Sequence, residues 1–386
     1  TIDIPANSSA TAIQDAINYI AEESAVKTGW TITVGSGTYN RFSITNIDDL
    51  TIEGTDRNNV VTETLTEAAA NNLIDAGGIN AFGSNITIRN MTITAGSAES
   101  GSFTAAVNNH NGNTGGAKHS LTVDNCTFKG SGVGDAVLID APTFVVTNCE
   151  ISGFKQAIEF FGDSFVATGC KVENNVISNC SFALHGYYGG AGGSMSVISN
   201  VITGTEELRC KVVLQDYLNA GALKADIRNN TLTQAVVGLV NMREAGETVS
   251  DVLSSNTMNA GSFYVEAVEP GTIDFFTSYK APENGPGYWQ IVNLSDSPYI
   301  DEINEALKNA NSTHDRVLSI TGISEDQLIP TFTKFKDGLY WHSLSEDEIG
   351  KLTVTKKVEG TETDEEFTFK IRRDDKTSNR DTSKNE

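Results

Sequence analysis

Acids, a histidine and amides recur in the sequence beside aromatic residues at strand-like spacing. The stretches are Ala157-Ile158-Glu159-Phe160-Phe161, Ala183-Leu184-His185-Gly186-Tyr187, Val213-Leu214-Gln215-Asp216-Tyr217 and Gly238-Leu239-Val240-Asn241-Met242. Read as strands, period-two alternation points Ile158, Leu184, Leu214 and Leu239 inward and Glu159, His185, Gln215 and Val240 outward. Phe161, Tyr187, Tyr217 and Met242 form a second outward column, which His110 and Asp140 extend. Stacked strands lie about 4.8 Å apart, so an acid, an imidazole and an amide become vertical neighbours. Such a face can hold sugars, with rings against C–H surfaces and polar groups on hydroxyls. Glu159, Phe161, His185, Tyr187, Gln215 and Tyr217 are the candidate ligand-binding residues. Glu159, His185 and Asp140 are the candidates for catalysis, with Glu159 and His185 as acid and base. Glycoside hydrolysis would need a second carboxylate at a set separation. Asp140, Asp163 and Asp216 are available, and spacing singles out none of them. The plainer alternative is a solvated face whose aromatic stack steadies the sheet.

A returning phrase tells which elements position these residues. It reads Ile88-Arg89-Asn90-Met91-Thr92-Ile93, Val123-Asp124-Asn125-Cys126-Thr127-Phe128 and Val146-Thr147-Asn148-Cys149-Glu150-Ile151, and it recurs through Leu253-Ser254-Ser255-Asn256-Thr257-Met258. Intervals of about 23 to 35 residues lie in the range of repeat architectures. Each copy is a strand, a tight polar turn and a second strand, and none can bury its apolar face alone. Stacking the copies makes one core, which is a parallel β-solenoid. The turn residues Asn90, Asn125, Asn148, Asn174 and Asn229 are expected to stack with Ser199 and Ser255 as a buried amide ladder, and to accept a left-handed backbone. Cys126 and Cys149 share a repeat position as packing groups, and Cys170 is expected to join them.

Residues 8–24 are expected to form an amphipathic helix capped by Ser8 or Ser9, with Ile13, Ile17 and Ile20 on one face, covering the open end of the solenoid. The run Ala12-Ile13-Gln14-Asp15-Ala16-Ile17, then Thr31 to Tyr39, then Leu50-Thr51-Ile52-Glu53-Gly54 resembles the N-terminal cap of the pectin-lyase-like superfamily. The resemblance covers residues 1–270. It implies an all-β chain folded as a right-handed parallel β-helix with an N-terminal capping helix and about eight to ten coils. The superfamily spans lyases, hydrolases, epimerases, tailspikes and adhesins, so fold is implied far more sharply than activity.

Against the enzymes of that superfamily the motifs are incomplete. Polygalacturonase-like members carry paired aspartates where this chain has Gly134-Asp135-Ala136. Leu184-His185-Gly186-Tyr187 matches their Gly-His-Gly only in part. Pectate-lyase-like members use an Arg or Lys base beside acidic calcium ligands. Arg209, Lys211 and Arg243 are available here without an accompanying Asp cluster. No cofactor is therefore expected, and no motif supports Ca2+.

Residues 271–349 break the repeat and gather aromatics, with a helix expected over 298–310. They read as a small α+β C-terminal cap. Residues 350–371 alternate like strands. Lys351-Leu352-Thr353-Val354-Thr355-Lys356 with Phe367-Thr368-Phe369 resembles the opening of Gram-positive pilin-type isopeptide linkage domains, Lys356 matching the strand lysine. That resemblance implies the start of a β-sandwich stalk on a wall-attached surface protein. Residues 372–386 read as a polar disordered tail.

The 27 basic and 50 acidic residues give a net charge of −23. That field opposes nucleic acid phosphates and anionic membranes as partners. No apolar run long enough to span a bilayer exists. Thr1 reads as a mature or trimmed start, which leaves the compartment open. Together these observations predict an extracellular, cell-wall-attached monomer that binds polysaccharide or glycoprotein glycans along its lateral face, as an adhesin or binding module. The alternatives are a polysaccharide lyase or glycoside hydrolase using the same face, and a spacer without ligand.

Overall fold

The computed structural model describes residues 1–63, 78–95, 105–110, 120–162, 167–188, 193–205, 207–216, 223–240, 252, 255–259 and 262–266. It also describes the strands 289–292, 317–320, 332–336, 339–342, 368–372 and 379–384. Successive strands of the repeat fall into three sheets. Nine strands from Ile2–Ile4 to Leu223–Arg228 make the first sheet, and nine from Gly37–Asn40 to Thr257–Asn259 make the second. A third sheet of thirteen strands begins at Ser43–Ile44. Its pairings are parallel up to Val317–Ile320, beyond which Leu339–His342 and Phe332–Lys336 pair antiparallel. The fold is a parallel β-helix.

Register follows the repeat. Ile32, Ile52, Ile88, Val123, Val146, Val172, Val197 and Ile227 stand one above another in the first sheet. Ile93, Phe128, Ile151, Ile177, Ile202 and Leu232 do the same in the second. All of them are buried, each contributing about 1.5–3 kcal/mol of transfer free energy. The N-terminal helix runs over Ala12–Asn18 and continues as a wider turn through Tyr19–Glu23, with Ile13, Ile17 and Ile20 buried. Its N-cap is Thr11 rather than Ser8 or Ser9, because the Ser8 hydroxyl is held by the Pro5 carbonyl at 2.7 Å. The Thr11 hydroxyl donates instead to Asp15, at 2.9 Å.

Two expectations about stacking need correction. Asn90, Asn125, Asn148, Asn174, Ser199 and Asn229 do take the left-handed backbone. Their side chains, however, lie at the surface or half-buried. The buried ladder is built one residue later, from Asn175, Asn200, Asn230 and Asn256. Asn175 Nδ2 donates to Asn200 Oδ1 at 3.0 Å, Asn200 to Asn230 at 3.0 Å, and Asn230 to Asn256 at 2.8 Å. A residue with φ near +57° directs its own side chain outward, and the strand pleat then turns the next one in. Cys126 and Cys149 occupy this inward position on lower coils, and the Cys149 backbone N–H donates to Asn175 Oδ1. Cys170 does not join them. It lies in a first-sheet strand opposite Met195, because the turn following it comes at Asn174. Replacing Asn200 with Ala removes the acceptor of the Asn175 N–H groups and the donor to the Val172 carbonyl. Orphaned buried groups cost about 1–3 kcal/mol each, so Asn200→Ala is expected to lose about 3 kcal/mol in denaturant unfolding. Thr203→Ala, at an exposed position, is expected to stay within about 0.5 kcal/mol.

Beyond the coils, the helix expected over 298–310 and the strand expected over 351–356 lie outside the described residues. Residues 372–386 were expected to be unstructured, yet Asn379–Lys384 pairs antiparallel with Thr368–Arg372. Backbone pairing satisfies N–H and C=O groups without requiring apolar side chains.

Candidate functional site

The third sheet carries the candidate residues on strands Asp135–Ile139, Gln156–Gly162, Phe182–Tyr188 and Cys210–Asp216. Glu159 and His185 are register partners, as the stacking predicts. Gln215 is not above them. The pairing slips between Phe182 and Leu184, which leaves Ala183 as an extra residue, so His185 faces Val213 and Gln215 faces Tyr187. Phe161 and Tyr187 are register partners by their backbone. Asp140 is buried and lies 3.2 Å from His110 Nδ1. Tyr217 and Asp163 lie outside the described residues.

The outward residues were expected to face solvent. Instead Glu159 is 6 %, His185 1 % and Gln215 0 % exposed. Around Glu159 and His185 the coils assemble a cluster that alternation alone does not reveal. Gln156, buried at the start of its strand, donates from Nε2 to Asp135 Oδ1 at 3.0 Å. Its Oε1 is hydrogen-bonded to His185 Nδ1. Glu159 Oε1 is farther from that nitrogen, at 3.8 Å. The imidazole stacks on Phe182 with centroids 4.6 Å apart and planes 20° from parallel. Lys211 Nζ sits over the Phe182 ring, 4.8 Å from its centroid.

Burial sets the protonation of these groups. Asp135 is held well above the ordinary carboxyl range by burial first and by the neighbouring Glu159 charge next. Burial also raises Glu159, against the hydrogen-bonding influence of Asp135 and Gln156. Two carboxyls this dry on adjacent rungs cannot both ionise easily. His185 is pushed down to about 3 by burial and by the Lys155 and Lys211 charges, so the ring is neutral at ordinary pH. Burial also lowers Lys211. Glu159 Oε2 is buried with no hydrogen-bond partner among the described residues. An uncompensated carboxylate there would cost several kcal/mol, which a proton on the carboxyl avoids.

The sequence motif lacks a second acid beside Asp135, and the coil supplies it from the next rung as Glu159. Asp135 stands opposite Gln156, and Glu159 opposite Leu138, so the acids lie on adjacent rungs, three residues apart in register. Asp135 and Gln156 were not among the candidates because both lie at strand starts. Period-two counting back from Glu159 reaches Ala157 and passes over Gln156. Among the described residues no group of three or more His, Cys, Asp or Glu side chains could hold a metal ion.

Three parallel sheets wound around one apolar core decide the fold class. The chain is a parallel β-helix. No family model and no curated protein sequence matches it. Among solved structures, it is similar to the pectin methylesterase from Aspergillus niger at 14% identity and a TM-score of 0.34, over 73% of this chain and 91% of that one. It is also similar to a pectin methylesterase in complex with a hexasaccharide, at 13% identity and a TM-score of 0.27, over 75% of this chain and 88% of that one. Likeness at this level does not reach the chemistry, which has to be argued from the β-helix's own side chains.

Proposed function

We propose that the third-sheet face is a carbohydrate-active site, at which Asp135 and Glu159 move a proton on a bound polysaccharide. The observation that carries this reading is the buried acid pair joined through Gln156 to a neutral histidine. The same column holds Asn80, Asn108, Leu138, His185, Val213 and Gly238 on its other rungs, so apolar residues are accepted there as well as polar ones. Strongly perturbed acids beside a specific partner are the usual mark of a proton-transfer site. Rungs about 4.8 Å apart in a straight line suit an extended polymer better than a compact ligand.

Gln156 Nε2 bonds Asp135 Oδ1 at 3.0 Å and its Oε1 meets His185 Nδ1, so an acid and a neutral ring converge on one amide, whereas hydrolysis across a glycosidic bond uses two carboxyls about 5–5.5 Å or about 6.5–9.5 Å apart. This favours acid–base work around one atom, as in elimination from a uronate, with one carboxyl or the His185 ring taking the proton and the protonated carboxyl serving the leaving oxygen. Purified chain incubated with a panel of acidic and neutral polysaccharides tests it. Ultraviolet absorbance from unsaturated product is the expected signal. Reducing ends without that absorbance would place the chemistry with hydrolysis, and neither signal across the panel would defeat the catalytic reading.

A second reading is a surface module that holds glycans without changing them. The resemblance of Lys351 to Ile371 to wall-protein stalks favours it, along with an extracellular, wall-attached location. Retention on a glycan array without turnover is the result that would select it.

A further inference from the structure

An amide has one donating end and one accepting end, and Gln156 has both committed. Nε2 is spent on Asp135 Oδ1 at 3.0 Å, which leaves Oε1 for His185 Nδ1. Glu159 does not compete for that nitrogen, because 3.8 Å exceeds hydrogen-bonding distance. The ring cannot easily rotate away from the contact. Phe182 stacks on it nearly parallel, and Lys211 lies over Phe182 in turn. Gln156 itself is buried and held in register by the pairing of its strand with those of Asp135 and Phe182.

We propose that Gln156 is a positioning residue that fixes which nitrogen of His185 carries the proton, by accepting the Nδ1–H through Oε1 while Nε2 donates to Asp135. The His185 lone pair is then confined to Nε2, and the ring works as a neutral proton acceptor rather than as a cation. The same amide ties the tautomer to the acid pair. If Asp135 instead donated its proton to Gln156, the amide would have to reverse and the ring proton would move to Nε2. The catalytic consequence rests on the function proposed above, but the tautomer does not. The groups that face this network are Asp135, Glu159, Lys155 and Lys211, with His110 beyond Glu159.

The experiment is long-range proton–nitrogen NMR on the full chain labelled at histidine nitrogens, near neutral pH. The chain has five histidines, and His185→Asn assigns the relevant one. A neutral Nδ1–H pattern for His185 is expected. Gln156→Met, similar in length but without a strong acceptor, is expected to move the ring proton to Nε2. Gln156→Glu keeps an acceptor, so it is expected to restore Nδ1–H and to raise the pH at which the ring takes a second proton. An Nε2–H pattern in the unmodified chain would overturn the proposal, as would an Nδ1–H pattern surviving in Gln156→Met. If Gln156→Met does not fold, the unmodified chain and Gln156→Glu decide alone. The expected tautomer with no turnover of any polysaccharide would leave this inference standing and remove the catalytic reading.

Discussion

Between about pH 7 and about pH 3.5 the chain is expected to lose about 4 kcal/mol of stability through His185 alone. In the folded chain this ring titrates near 3, chiefly because it is buried and next because Lys155 and Lys211 repel a further positive charge. In the unfolded chain it titrates near its ordinary 6.5. Between those values the unfolded state holds the proton and the folded state does not. Acid therefore favours unfolding over that window, and the contribution is fully present above the unfolded value. Asp135 and Glu159 act in the opposite sense. Their folded values are raised, so their contribution is present at low pH and is lost as pH rises through the folded values. Denaturant unfolding of the unmodified chain and of His185→Asn across this range separates the two effects. The unmodified chain should lose about 4 kcal/mol more than the variant on acidification. Parallel pH dependences would mean that His185 is already charged in the folded state.

Asp135→Asn and Glu159→Gln are each expected to lower turnover of a polysaccharide substrate by about 10²- to 10⁴-fold, the range for loss of a positioned acid or base. Both replacements conserve shape. The amide introduced by Asp135→Asn would still offer an oxygen to Gln156 Nε2, so the burden falls on proton transfer rather than on folding. The shape of the pH profile is the sharper sign. Two interacting acids give a bell with two limbs that belong to the pair. Either single variant leaves one titrating carboxyl and should leave one limb. KM is expected to move little, because the pair acts on the reacting atom and the extended face does the holding. A variant that keeps both limbs would remove that carboxyl from the mechanism.

The coil was legible because each repeat couples apolar alternation to an Asn- or Ser-containing turn, and such turns leave few choices of register. Adjacency of Glu159 and His185 followed directly. Placement of Gln215 did not, since the unpaired Ala183 shifts the next strand by one residue. A bulge of this kind leaves no mark in a period-two pattern. The buried ladder was displaced by one position for a related reason. In Asn174-Asn175, Ser199-Asn200 and Asn229-Asn230 the first residue makes the left-handed turn, and the second points into the core. Asn90-Met91, Asn125-Cys126 and Asn148-Cys149 show the same division, with an apolar second member that marks the inward position. The acid pair was hidden more deeply. Asp135 and Glu159 are neither sequence neighbours nor register partners, and only the winding sets them on adjacent rungs.

The winding buries Asp135 and Glu159 on adjacent rungs, where burial keeps a carboxyl protonated at neutral pH. Infrared difference spectroscopy of the carboxyl stretch, comparing the unmodified chain with Asp135→Asn and Glu159→Gln near neutral pH, reads that proton directly. A protonated carboxyl band in the unmodified chain that shifts or vanishes in the variants is the expected result. A spectrum showing only ionised carboxylates at neutral pH would contradict it.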